Sequence, residues 1–125
     1  MTKTPFDLPL LQQWVGKTEQ ATRRIDANQA AALAATLDRA QVVADGMQLP
    51  PLWHWIFFWD AAPHAALGID AHPRRGGSLP PVPLPRRMWA GGRLQFHAPL
   101  LTGSDATRTS RVESVSAKEG KSGLL

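Results

Sequence analysis

Eight of the chain's 11 prolines fall between Pro50 and Pro85. Each proline fixes φ and removes a backbone donor, so neither a long helix nor a central strand can cross this stretch. Its second half, Leu79-Pro80-Pro81-Val82-Pro83-Leu84-Pro85, is therefore read as an extended, ordered or semi-ordered loop. The loop is longer than a connector requires, and long loops in compact domains are usually functional or mobile. Near its start lies the aromatic centre of the chain, Leu52 to Trp59, a candidate buried strand or short helix between which periodicity does not decide. Regular elements must come from the flanks.

Before the prolines, Leu8, Leu11, Trp14 and Val15 recur at helical spacing, which predicts a short helix over 7–15 capped by Asp7 and ended by Gly16. The polar run Thr18 to Ile25 has moderate strand character. Asp26 followed by Gln29 is a capping-box pattern, and the alanines from Ala30 onward are strong helix formers. So much alanine lets a helix approach neighbouring backbone closely. After the prolines, Arg93 to His97 alternates with Leu94 and Phe96 on one face, and Thr107 to Ala117 alternates around Val112 and Val115. Both are expected strands. Glu119-Gly120-Lys121-Ser122-Gly123 is turn chemistry, and with only Leu124 and Leu125 after it a hairpin partner is expected to be lacking. An open edge would follow.

A length of 125 residues sets the expectation of one domain with a real core. The absence of cysteine excludes disulfide scaffolds, thiolate zinc sites and cysteine nucleophiles. The apolar run around Leu52 to Trp59 contains His54 and is far short of the ~20 residues a membrane-spanning helix needs. Residues 1–7 lack the basic-then-apolar layout of a leader and carry an early acid, Asp7, so a cytoplasmic protein is expected. The net charge is +4, but it is unevenly placed. Between Ala71 and Leu100 there are five arginines (Arg74, Arg75, Arg86, Arg87, Arg93) and no acid. Anions should be met there.

Catalytic motifs are few. His54, His64, His72 and His97 show no pairing at spacings that bring two ligands to one metal. His54 and His97 read first as structural histidines. No phosphate-cradling glycine motif occurs, and Asp60 with His64 is a weak acid–base pairing on a helix turn. Pro80-x-x-Pro83 lacks the basic residue two positions on that an SH3 ligand wants, and a rigid loop explains it better. The pairs Arg74-Arg75 and Arg86-Arg87 bracket a stiff loop with Trp89 nearby. They could hold phosphates by forked hydrogen bonds, or be plain solvated loop arginines.

Leu49 to Trp55, His72 to Gly92, Leu94 to Leu100, Thr107 to Ser110 and Lys118 to Gly123 together resemble the N-terminal half of MaoC-like hydratases. The closest look is to the 3-methylfumaryl-CoA (mesaconyl-C4-CoA) hydratases, also described as a FAS1-like dehydratase domain. The resemblance implies an α+β hot-dog fold, an antiparallel sheet around the alanine-rich helix, incomplete at its C-terminus. Residues 1–125 would form one such unit, ending before its last strands. It implies reversible hydration of a 2-enoyl thioester, with no cofactor beyond the coenzyme A of the substrate. The Asp/His dyad of such enzymes lies in a second hot-dog unit, absent here, so no catalytic residue is carried over. The loop and its tryptophans would belong to the acyl or CoA pocket. Arg86, Arg87 and Trp89 are the first substrate-binding candidates, then Trp53 and Trp55; core packing is the plainer account of the tryptophans.

Two functions follow. In the first, the chain is the substrate-holding half of an acyl-CoA hydratase or dehydratase, with an acyl-CoA thioester and a second hot-dog domain or subunit as partners. In the second, it is a non-enzymatic module whose arginine-rich loop, 71–100, meets nucleic acid or an acidic protein. Arginines and aromatics that do not interleave along one element count against the second.

Overall fold

Asp7 begins the described chain by capping a helix, its carboxylate accepting from the Leu10 backbone N–H at 3.1 Å. The structure is a computed structural model and describes residues 7–121 and 123–125. The residues before Asp7, on which the leader reading partly rests, and Ser122 of the expected turn lie outside the described residues. The regular elements are α1 (Leu8–Gln12), β1 (Thr18–Arg24), α2 (Ala27–Thr36), β2 (Asp105–Arg111), β3 (Glu119–Gly120) and β4 (Gly123–Leu124). Two 3-10 turns, Trp53–Phe57 and His64–Ala66, lie between α2 and β2. Strands β1 and β2 form one two-stranded sheet, and β3 and β4 another. This is the expected α+β class.

The chain divides into two units. One comprises Met1–Glu19, Ala61–Ala90 and Thr109–Leu125; the other comprises Gln20–Asp60 and Gly91–Arg108.

The second unit holds the main core. Ile25 is fully buried and packs with Ala30, Leu49, Phe57 and Ala106. Ile25 donates to the Ser104 carbonyl at 2.8 Å and accepts from the Gly103 N–H at 2.7 Å, so the chain returns antiparallel beside it. Helix α2 buries Ala30 and Ala34, one turn apart, while Ala32, Ala35 and Leu37 face solvent. Alanine thus gives close approach on one side only. Asp26 caps α2 as expected, accepting from the Gln29 N–H at 3.2 Å. The reciprocal bond goes elsewhere: Gln29 Nε2 donates to the Ile56 carbonyl at 2.6 Å. Gln29 therefore ties the helix start to the aromatic turn.

That aromatic segment is a 3-10 turn, with Leu52 at its entry in the left-handed region (φ 73°). Nearby, Thr102 is buried and knots two strands of backbone. Its hydroxyl donates to the Ala44 carbonyl at 2.6 Å and accepts from the Met47 N–H at 2.9 Å. Gly103 follows with φ 81°, and a Cβ there would lie 2.7 Å from Asp45 Cγ.

Three expectations need correction. Residues 93–97 form no strand, and Leu94 and Phe96 are exposed: among the described residues no backbone bonds this segment, and alternation without a partner does not make a ladder. The strand expected over 107–117 runs instead from Asp105 to Arg111, with Val112 and Val115 half-buried beyond it. The hairpin partner expected to be lacking is supplied. Leu124 and Leu125 return antiparallel, with Glu119 opposite Leu124 and Lys118 and Leu125 exchanging bonds at 2.7 and 2.8 Å.

In the first unit, α1 ends sooner than the 7–15 reading, at Gln12, and buries Leu11. Gly16 turns the chain at φ 85° and donates to the Val112 carbonyl at 2.8 Å. The proline-rich loop is anchored to this end of the chain: the Gly77 carbonyl accepts from the Trp14 indole at 3.0 Å and from Lys17 Nζ at 2.9 Å.

Candidate functional site

Within the first unit, the arginine-rich loop folds onto itself. The Arg75 guanidinium donates to the carbonyls of Val82 (2.7 Å), Leu84 and Arg86 (3.4 Å). Alternate carbonyls of an extended, proline-rich strand point the same way, and these prolines leave few internal N–H donors to answer them. One guanidinium with five donors does so instead. Arg87 closes the other side, donating from Nε to Asp70 Oδ2 at 2.9 Å and from Nη2 to the Pro73 carbonyl at 2.9 Å. Arg74 Nε reaches the Leu67 carbonyl at 3.4 Å. Asp70, Arg74, Arg75 and Arg87, together with Ile69 and Pro85, wall a hollow of about 290 Å³.

Asp70 is the electrostatic hinge of this loop. The backbone N–H of His72 donates to it at 3.1 Å and is the main cause holding its carboxyl below the usual carboxylate range, with Arg87 adding to the effect. The His72 ring also lies 3.7 Å from the carboxylate. An aspartate beside a histidine was not legible at this spacing, and it does not amount to an acid–base pair. A carboxylate with a lowered pKa that is already held by Arg87 is a weak base.

The candidate residues are divided between the units. Arg86, Arg87 and Trp89 lie in the first, Trp53 and Trp55 in the second. Arg87 is committed to Asp70 and Pro73, whereas the exposed Arg86 guanidinium has no partner among the described residues. Trp89 is largely exposed. Trp53 packs against the core with the Arg39 guanidinium 5.4 Å from its ring centre. Trp55 is half-exposed and meets the His54 ring edge-on at 5.9 Å. Of the weak acid–base pairing, Asp60 turns to Arg108 at 3.8 Å.

The second unit contains a cleft of about 300 Å³ between the Pro50–His54 corner and the Phe96–Leu100 segment. His54 and His97 both line it. Sequence reading set them aside because 43 positions of separation give no spacing signal. Among the described residues no cluster of three or more His, Asp or Glu could hold a metal, and no helix is long and apolar enough to cross a membrane.

Residues 52–124 match the hydroxyacyl-thioester dehydratase type 2 family. This match covers more than half of the chain, including the arginine loop and most of the cleft. The chain belongs to that family. Its fold is accordingly that of the hot-dog dehydratases, as the sequence resemblance implied. A curated relative, the mesaconyl-C(4)-CoA hydratase of Chloroflexus aurantiacus, is 47% identical over 114 residues. The similarity takes in 90% of this chain, which spans about 40% of the relative's length.

Proposed function

We propose that the chain is the substrate-holding half of an acyl-CoA hydratase or dehydratase acting on a 2-enoyl thioester such as mesaconyl-C4-CoA. A second hot-dog unit supplies the carboxylate and histidine that activate water. The observation that carries this reading is the 47% identity to a mesaconyl-C(4)-CoA hydratase across nine-tenths of the chain. Its geometry adds support. Asp70 and His72 form the one close Asp–His pairing found among the described residues, and Arg87 occupies it. Among the described residues the chain offers surfaces for holding a thioester and no carboxylate–histidine pair free to activate water.

In this reading Arg86 and Trp89 meet the phosphates and ring of coenzyme A on a loop that Arg87 holds in place through Asp70 and Pro73, and Trp53 and Trp55 are, within their own unit, the candidates for acyl contacts. No cofactor is needed besides the coenzyme A that the substrate brings. The nucleic-acid reading draws less support, because Arg74, Arg75 and Arg87 spend their donors on the loop's own carbonyls and on Asp70.

The test is hydration of mesaconyl-C4-CoA, followed by loss of the enoyl absorbance. The chain alone should bind the thioester weakly, in competition with free CoA, and leave it unhydrated. Turnover should appear when a second hot-dog unit carrying the dyad is added. Turnover by the chain alone would overturn the division of labour, and salt-sensitive binding to single-stranded DNA without CoA competition would favour the second reading.

A further inference from the structure

The second unit's cleft has an unusual lining. Pro50, Pro51, Phe96 and Pro99 make its walls apolar, and no acidic residue lines it. Its polar lining is Gln48, His54 and His97. Neither imidazole has a hydrogen-bond or ion-pair partner among the described residues. His54 is half-buried and steadied by the edge of Trp55, and His97 is exposed at the cleft's mouth. The fold brings these two imidazoles, 43 positions apart in sequence, to one cleft where both can donate to an entering anion.

From this juxtaposition we infer that the cleft is a carboxylate subsite, in which His54 and His97 hold the free carboxylate of a short acyl chain. Two imidazole N–H groups supply two donors, which suits the two oxygens of a carboxylate, and the absence of acids leaves nothing to repel it. The volume lies at the small end of ligand pockets, ~300–1,000 Å³, so the cleft takes an acyl end and leaves the nucleotide outside. Prolines on both sides make the walls stiff, so little order is lost when the ligand enters. As the acyl end of a CoA thioester the ligand rests on the proposed function; as a carboxylate site the cleft stands without it.

The experiment is an NMR titration of the chain with succinyl-CoA, butyryl-CoA and free succinate, with the imidazole resonances assigned. The two thioesters differ in chain end, carboxylate against methyl. Succinyl-CoA should bind about tenfold tighter than butyryl-CoA and should shift the His54 and His97 rings, as should succinate at higher concentration. H54Q and H97Q should each shrink the difference between the thioesters, and the double variant should erase it. Equal affinity for the two thioesters, or a preference that survives the double variant, overturns the subsite and leaves the acyl-CoA reading standing. Ring shifts with succinate while neither thioester binds would uphold the subsite and overturn the acyl-CoA reading. No shift of either ring with any of the three compounds overturns the subsite.

Discussion

Arg87 Nε lies 2.9 Å from Asp70 Oδ2, seventeen positions apart in sequence, and the same guanidinium reaches the Pro73 carbonyl. This bracket spans the base of the arginine loop, and the His72 backbone N–H shares the carboxylate. A depressed carboxyl stabilises the fold above the ordinary carboxylate pKa, and that contribution is lost as pH falls through the lowered value. Acidification below about pH 4 should therefore loosen the loop. Amide exchange across 68–87 should rise as the pH is lowered through that range, after correction for intrinsic rates. D70N should exchange faster at neutral pH and show no further acid response. A wild-type loop indifferent to acid would show that the bracket contributes nothing.

The arginines of the loop are sorted by what they already hold. Arg75 is spent on the carbonyls of Val82, Leu84 and Arg86, whereas Arg86 has no partner among the described residues. R86Q should weaken CoA binding about tenfold at low salt and flatten its salt dependence, with the melting temperature unchanged. R75Q should instead lower stability by about 1–3 kcal/mol, because carbonyls along the proline strand lose their donor. Calorimetric titration with CoA and thermal melts separate the two. Equal effects of both variants on both readouts would contradict the sorting.

Thr102 carries a similar burden inside the second unit. Its hydroxyl is the partner of both the Met47 N–H and the Ala44 carbonyl, and the residue is buried. T102V keeps the shape and removes both bonds, so chemical denaturation should show a loss of about 1–3 kcal/mol. T102S keeps the hydroxyl and should recover most of it. A valine variant as stable as the wild type would mean that water replaces the hydroxyl.

What the sequence showed well was local. Asp7 and Asp26 as caps, the alanine helix and the extended proline loop all rest on interactions within a few residues, and each is present. What it hid was long-range. Arg93 to His97 alternates like a strand, but whether a ladder forms depends on a neighbour that composition does not reveal. Two-residue arms such as Glu119–Gly120 and Gly123–Leu124 are too short to carry a periodic signal. At the site, the arginine pairs were visible as charge, but their internal partners were not. Asp70, one residue ahead of the acid-free run, was the one available hint. His54 and His97 meet only through the fold.

The start of α2 shows how a local motif is redirected by tertiary structure. Asp26 and Gln29 have the spacing of a reciprocal capping box, but the Gln29 side chain bonds Ile56 at 2.6 Å and leaves Asp26 to cap alone. A true box would couple the two side chains strongly. Here D26A should cost about 1 kcal/mol by losing the cap. Q29A should cost a similar amount by another route, leaving the Ile56 carbonyl unanswered and loosening the aromatic turn from the helix. The double variant should therefore come within about 0.5 kcal/mol of the sum, measured by urea denaturation of the four proteins. A coupling well above that would return Gln29 to the box, and with it the independence of the Trp53–Phe57 turn from the start of α2.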